Sequence, residues 1–224
     1  MRTDRNPGSG AVSRAGSQQG KQTLSAILMA AGDLASLEGL EQLSMRRLAS
    51  AVGMSKSGLY AHFASKEQLQ LATIEHFAKI FDAHVLRDHP DEPDSGLDAL
   101  LERWLVFYER EVFPGGCFLI ISAVEFAYRP GPVREALAAG VDRQIATLDT
   151  AIARAKKTGE LGAQPDAGQS AFELHAILMN SHALFQITRD PAVFDRARAA
   201  IHRHIGAPDP ERASIASSGR AAVG

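Results

Sequence analysis

Residues 44–66 read SMRRLASAVGMSKSGLYAHFASK: two short helical periods joined by a tight turn, then the start of a third helix. Ser44 is placed to cap the first helix. Met45, Leu48, Ala49 and Val52 recur at i, i+3, i+4 and i+7, one buried face that leaves Arg46, Arg47 and Ser50 outward. Ala49 is small where two helices cross, and Gly53 supplies the positive φ of an abrupt helix end. Ser55 caps the next helix, which turns Leu59 and Phe63 inward and presents Lys56, Ser57, Gly58, Tyr60 and His62. Those side-chain types suit phosphates and base edges. Ser65-Lys66-Glu67-Gln68 then has the S-x-x-Q form of a capping box, so a long helix begins with Lys66 beside its positive end, an expected phosphate clamp.

Outward from this stretch, the preceding ILMAAGDLASLEGLEQLS (residues 27–44) completes a three-helix unit. Residues from about 22 to 70 resemble the N-terminal DNA-binding domain of the TetR family of bacterial transcriptional regulators. The resemblance is carried by Lys56, Ser57, Leu59, Tyr60, Phe63, Ser65, Lys66 and Glu67; Gly58 stands where Thr is common in that family. It implies an all-α protein that binds double-stranded DNA through Arg46, Ser55, Lys56, Ser57, Gly58, Tyr60, His62 and Lys66. Helix pairs with a glycine turn also occur as plain structure. The capped third helix and the Leu-Tyr pair favour the DNA-binding reading.

Charge divides the chain the same way. Residues 1–66 carry eight Lys/Arg against four acids, a net of +4, and the remainder carries −6. The overall pI of about 6.4 conceals a basic end suited to a polyanion. With 224 residues and 45% hydrophobic content, the chain has room for two modest domains. The longest apolar stretch, around Cys117 to Ala127, is far short of the ~18 residues of a membrane span, and the N-terminus has no apolar signal core. The single cysteine excludes an intrachain disulfide and fits a cytoplasmic setting. The expected organisation is a flexible arm at 1–20, the DNA-binding domain at 21–66, a ligand-binding and dimerisation domain at 67–205 and a flexible tail at 206–224. Arg2, Arg5 and Arg14 give the arm a choice between a DNA groove and solvent.

Beyond the DNA-binding domain every pattern is helical. A helix from about 66 to 86 links the domains and ends at DHPDEPDSG, residues 88–96. Leu97, Leu100, Leu101, Trp104, Leu105 and Tyr108 form the next stripe, which closes near Phe113-Pro114-Gly115-Gly116. The helix from about Cys117 to Tyr128 is apolar nearly all round and is expected to be central, with Glu125 in need of a partner. A seam of Ala138, Val141, Ile145, Leu148, Ile152 and Ala155 follows, closed by Gly159 and Pro165. Helices at about 167–188 and 191–205 suit a four-helix dimer interface.

The resemblance implies a homodimer joined by these last two helices, and a C-terminal core that holds a small-molecule effector. The expected lining is Trp104, Phe107, Tyr108, Cys117, Phe118, Ile121, Glu125, His175 and Met179, aromatic walls with a few polar groups. Plain core packing is the alternative for the aromatics, and an Arg pair or a loop cap for Glu125. His175 and His182 stand two turns apart, roughly 10 Å, too far to share a metal ion. Neither a metal nor a cofactor is expected. Cys117, after a Gly-Gly bend at a helix start, is either an electrophile- or oxidant-sensing thiol or an inert buried one. No Ser-His-Asp spacing or phosphate-cradling Gly loop appears, so an enzyme or carrier is the remote reading. The main reading is a dimeric repressor of a palindromic operator released by an apolar or amphipathic effector; an activator is the alternative.

Overall fold

The short helices of the N-terminal domain are fixed by their caps. The computed structural model describes residues 9–86, 96–161 and 166–206, the side chains of 9–17 excepted. The acid- and proline-rich break at 88–95, Pro165, residues 1–8 and the tail from 207 lie outside the described residues. Helix α1 (Ser9–Glu38) extends N-terminally into the stretch expected as a flexible arm. Helix α2 (Met45–Val52) is capped by the Ser44 hydroxyl, which accepts from the Arg47 N–H, and it stops at Gly53 with φ 66°. Helix α3 (Lys56–Tyr60) is one turn long, with the Ser55 hydroxyl accepting from the Gly58 N–H. Ile27, Leu40, Leu43, Leu48, Leu59 and Leu69 close the core of this domain.

Helix α4 (Lys66–Phe81) starts at the Ser65 cap and runs out of the DNA-binding domain into a π-helical turn at Asp82–Leu86. The Gln68 amide oxygen accepts from the Ala64 N–H, one residue before the Ser65 N–H that a reciprocal capping box would use. Helices α5 (Leu97–Glu109), α6 (Phe118–Glu125), α7 (Pro132–Thr158), α8 (Ala167–Thr188) and α9 (Ala192–Ile205) form the C-terminal bundle, whose core is continuous with that of the DNA-binding domain. Helix α8 packs between α7 and α9, while α4 lies against α1 on one side and α7 on the other. All assigned regular structure among the described residues is helical.

The predicted stripe from Leu97 to Tyr108 is buried. It joins Phe77, Phe81, Phe113 and Phe118 in an aromatic cluster, with Phe77 4.7 Å from Phe118 and Phe81 4.9 Å from Trp104, both edge-on. Burying each such side chain stabilises the fold by roughly 1.5–3 kcal/mol, with edge-to-face contacts adding to that. At the far ends of α5 and α8, Glu111 (φ 44°) and Arg189 (φ 54°) both take the left-handed conformation, which costs of order 1 kcal/mol or more each. Their side chains pair with each other at 2.5 Å.

Helix α6 departs from expectation. It is shorter than Cys117–Tyr128, and Val124 (73% exposed) and Tyr128 (97% exposed) face away from the core. An all-round apolar helix carries no information about which side is covered.

Candidate nucleic-acid interface and its joint to the C-terminal domain

The Ser55 cap leaves the side chains of Lys56, Ser57, Tyr60 and His62 exposed around α3, while Leu59 and Phe63 anchor it from inside. The Lys56 ammonium lies 5.8 Å from the centre of the Tyr60 ring, so cation and aromatic face are presented together. Ser57 and Ser55 share a hydroxyl contact of 3.0 Å. Gly58 is half-buried. On α2, Arg46 is exposed, whereas Arg47 donates to Glu38 on α1 and pins the two helices together. Lys66 is drawn inward: its ammonium bonds the Glu41 carbonyl and lies 3.2 Å from the Glu41 carboxylate. The Glu41 carbonyl and carboxylate next to the helix start give Lys66 partners in the joint between helices, while its side chain stays 41% exposed.

Glu41 is the hub of that joint. Arg129, just beyond α6, meets the same carboxylate oxygen at 3.0 Å, and Glu125 of α6 accepts from the Glu41 N–H at 3.2 Å. Buried Gln70 of α4 donates to the Leu40 carbonyl at 2.9 Å. Partial burial pulls the Glu41 carboxyl upward, and Lys66 and Arg129 outweigh it, holding the group below its ordinary value. Glu125, expected in the effector pocket, therefore caps the loop between α1 and α2.

A second joint lies at the turn before α6. The Gly115 N–H donates to the Ser36 hydroxyl at 2.9 Å, and the Cys117 N–H donates to His182 Nε2 at 2.8 Å. A Cβ added at Gly115 would lie 1.9 Å from the Ser36 carbonyl oxygen, and one at Gly116 would lie 2.1 Å from His182 Nε2. Only glycine admits these approaches. Desolvation, with help from Arg189, depresses His182 to about 4, so Nε2 remains an acceptor. Sequence reading assigned His182 no function; its i+7 spacing from His175 gave no hint that it holds a backbone N–H across the core.

The expected effector lining divides. Trp104, Phe107, Tyr108, Cys117 and Phe118 pack into the aromatic core, with Trp104 Nε1 donating to the Tyr108 hydroxyl at 2.7 Å. Met179 accepts weakly from that hydroxyl, and His175 meets Gln144 at 3.4 Å. Ile121 is 39% exposed. Burial pushes the Cys117 thiol up to about 11, against the lowering pull of the Ile120 and Leu119 N–H groups. A sensing thiol needs the opposite shift. A wider cavity, about 410 Å³, opens between the π-helical turn, α5 and α7, lined by Leu86, Leu100, Arg103, Arg143, Ala151 and Arg154 among others.

A capped helix-turn-helix clasped to a helical core is the architecture of a DNA-binding regulator. Residues 27–73 match the family described as "Bacterial regulatory proteins, tetR family", and residues 94–201 match "Tetracyclin repressor-like, C-terminal domain". The chain belongs to the TetR family of bacterial transcriptional regulators. Among solved structures it is similar to a TetR transcriptional regulator from Chloroflexus aurantiacus (24% identity, 84% of this chain and 96% of that one, TM-score 0.73). It is also similar to AibR in complex with isovaleryl coenzyme A and operator DNA (24%, 83% and 99%, 0.60). A third is a regulator from Saccharomonospora viridis in complex with choline (20%, 83% and 96%, 0.68). At these identities the likeness is one of fold. Comparison with curated protein sequences finds no match. Among the described residues no helix is long and apolar enough to cross a membrane.

Proposed function

We propose that this chain is a ligand-responsive repressor that binds a palindromic operator as a homodimer and releases it when a small amphipathic effector occupies the C-terminal domain. The observation that carries the reading is the exposed set Lys56, Ser57, Tyr60 and His62 on a one-turn helix held rigid by Ser55, Leu59 and Phe63. Ser55, Gly58 and Arg46 complete the DNA-facing surface, and Lys66 acts through the Glu41 joint. Operator complexes of AibR, a relative in fold, support the same use of the domain. A chromosomal target sets the protein in the cytoplasm.

Dimerisation is supported by Phe172, Leu184 and Ile187, exposed on α8 at 63%, 41% and 81%, beside a cleft between α8 and α9 lined by Ile177, Val193 and Ala197. Two half-sites about 34–36 Å apart call for this two-fold symmetry. For the effector to cost operator affinity about 100-fold, it must prefer the released arrangement by about 2.7 kcal/mol. The two joints to α6 are the contacts through which that preference reaches the head.

The test is selection of genomic fragments by the purified protein at moderate salt, with Tyr60→Ala alongside. Enrichment of one palindromic site, lost in the variant, is the expected result, and the site's position relative to the promoter separates repression from activation. Absence of any enriched site in protein stripped of bound small molecules by denaturation and refolding overturns the reading.

A further inference from the structure

We infer that the open groove between the π-helical turn, α5 and α7 is the binding site for an oxyanion-headed amphiphile, and that this ligand is the effector; the second half rests on the proposed function. The groove, about 410 Å³, is of ligand size, and its named lining combines an apolar floor of Leu86, Leu100, Ala146 and Ala151 with the guanidinium groups of Arg103, Arg143 and Arg154. Among the described residues of that lining the charged side chains are these three arginines, of which Arg143 pairs with Asp82. Arg143 also borders a smaller cleft with Phe77, Phe81, Leu119 and Gln144. Gln144 is 3% exposed, and its Nε2 donor has no hydrogen-bond partner. Gln144 belongs to that smaller cleft, about 20 Å³, which adjoins the groove through Arg143.

The protein already seats one carboxylate at this edge. Asp82, at the end of α4, takes Arg143 in a two-pronged contact of 2.8 and 3.2 Å, and both side chains are well exposed to water. Arg103 Nε donates to the Val85 carbonyl within the same π-helical turn. An incoming oxyanion competes with Asp82 for Arg143 and loosens the tie between α7 and the end of α4. The other end of α4 carries Lys66 and Gln70, which hold the head's α1–α2 loop.

The experiment is titration calorimetry of the full chain with decanoate, decyl phosphate, decanol and decyltrimethylammonium below their micelle thresholds, with operator affinity measured in parallel. Decanoate or decyl phosphate is expected to bind at least about tenfold more tightly than the neutral and cationic analogues, and whichever binds tighter names the head. Arg143→Gln and Arg154→Gln are each expected to weaken that ligand several-fold and leave decanol unchanged, with thermal unfolding confirming intact variants. Equal binding of all four, binding of none, or full anion affinity in both variants overturns the site. Headgroup-selective binding that leaves operator affinity unchanged upholds the site and overturns its role as effector site. Failure of the fragment selection bears on the proposed function alone.

Discussion

Two joints connect the DNA-binding domain to α6, and they are built on opposite principles. At the Glu41 joint, charged side chains from four segments meet at the surface, where water screens them and side chains readjust at little cost. At the Gly115 joint, the Gly115 backbone abuts that of Ser36 and bonds its hydroxyl, and a neutral imidazole receives an N–H inside the core. The dry joint sets position and the wet joint sets tolerance. Under the proposed function, a regulator that shifts its head by a small, repeatable amount is served by one contact that does not yield and another that does.

The sharpest way to break this contrast is Gly115→Ala. The added methyl meets backbone, not a flexible side chain, so α1 or the turn must move. A loss of about 3 kcal/mol in urea unfolding is expected, at the upper end for overpacking. Next comes acid. His182 folded titrates near 4 against 6.5 when unfolded, so between those values the unfolded chain binds a proton that the folded chain refuses. The contribution of His182 to stability is complete above pH 6.5 and is lost as the pH drops toward 4, by up to about 3 kcal/mol. Burial also depresses His76 and His175. The quantity to read is therefore the difference in slope between the parent and His182→Gln, whose amide oxygen can still accept from Cys117.

The wet joint should yield less. Glu41→Gln removes the charge shared by Lys66 and Arg129 and is expected to cost about 1 kcal/mol, a cost that shrinks in high salt. Arg129→Ala, half-exposed, should stay within about 0.5 kcal/mol by the same measurement. If either wet-joint change costs more than Gly115→Ala, the division between setting position and setting tolerance is wrong.

What the sequence showed and what it hid follow the same boundary. Ser44, Gly53, Ser55 and Ser65 act on backbone groups a few residues away, so their roles were legible from spacing alone. The stripe from Leu97 to Tyr108 was legible because period fixes a buried face. Partners distant in sequence were not. Glu125 meets Glu41 across 84 positions and Cys117 meets His182 across 65, and no local pattern encodes either. Aromatic content suggested an effector pocket where the side chains fill the space themselves, and the lining of the open groove comes from arginines placed on faces of α5 and α7 that periodicity marks only as polar. The exposed flank of α6 was hidden for the opposite reason, since Ile121, Val124 and Tyr128 sit among too many apolar neighbours to be singled out.

Cys117 is the only cysteine in the chain, and it lies fully buried with its thiol held protonated at neutral pH. The protein therefore arrives with no native thiol open to labelling. A thiol introduced at exposed Glu67, at the start of α4, would be the single reactive handle on each copy. Spin or dye labels placed there need no prior removal of a native residue, and in the proposed dimer the separation between the two heads becomes a ruler reading taken with and without added ligand.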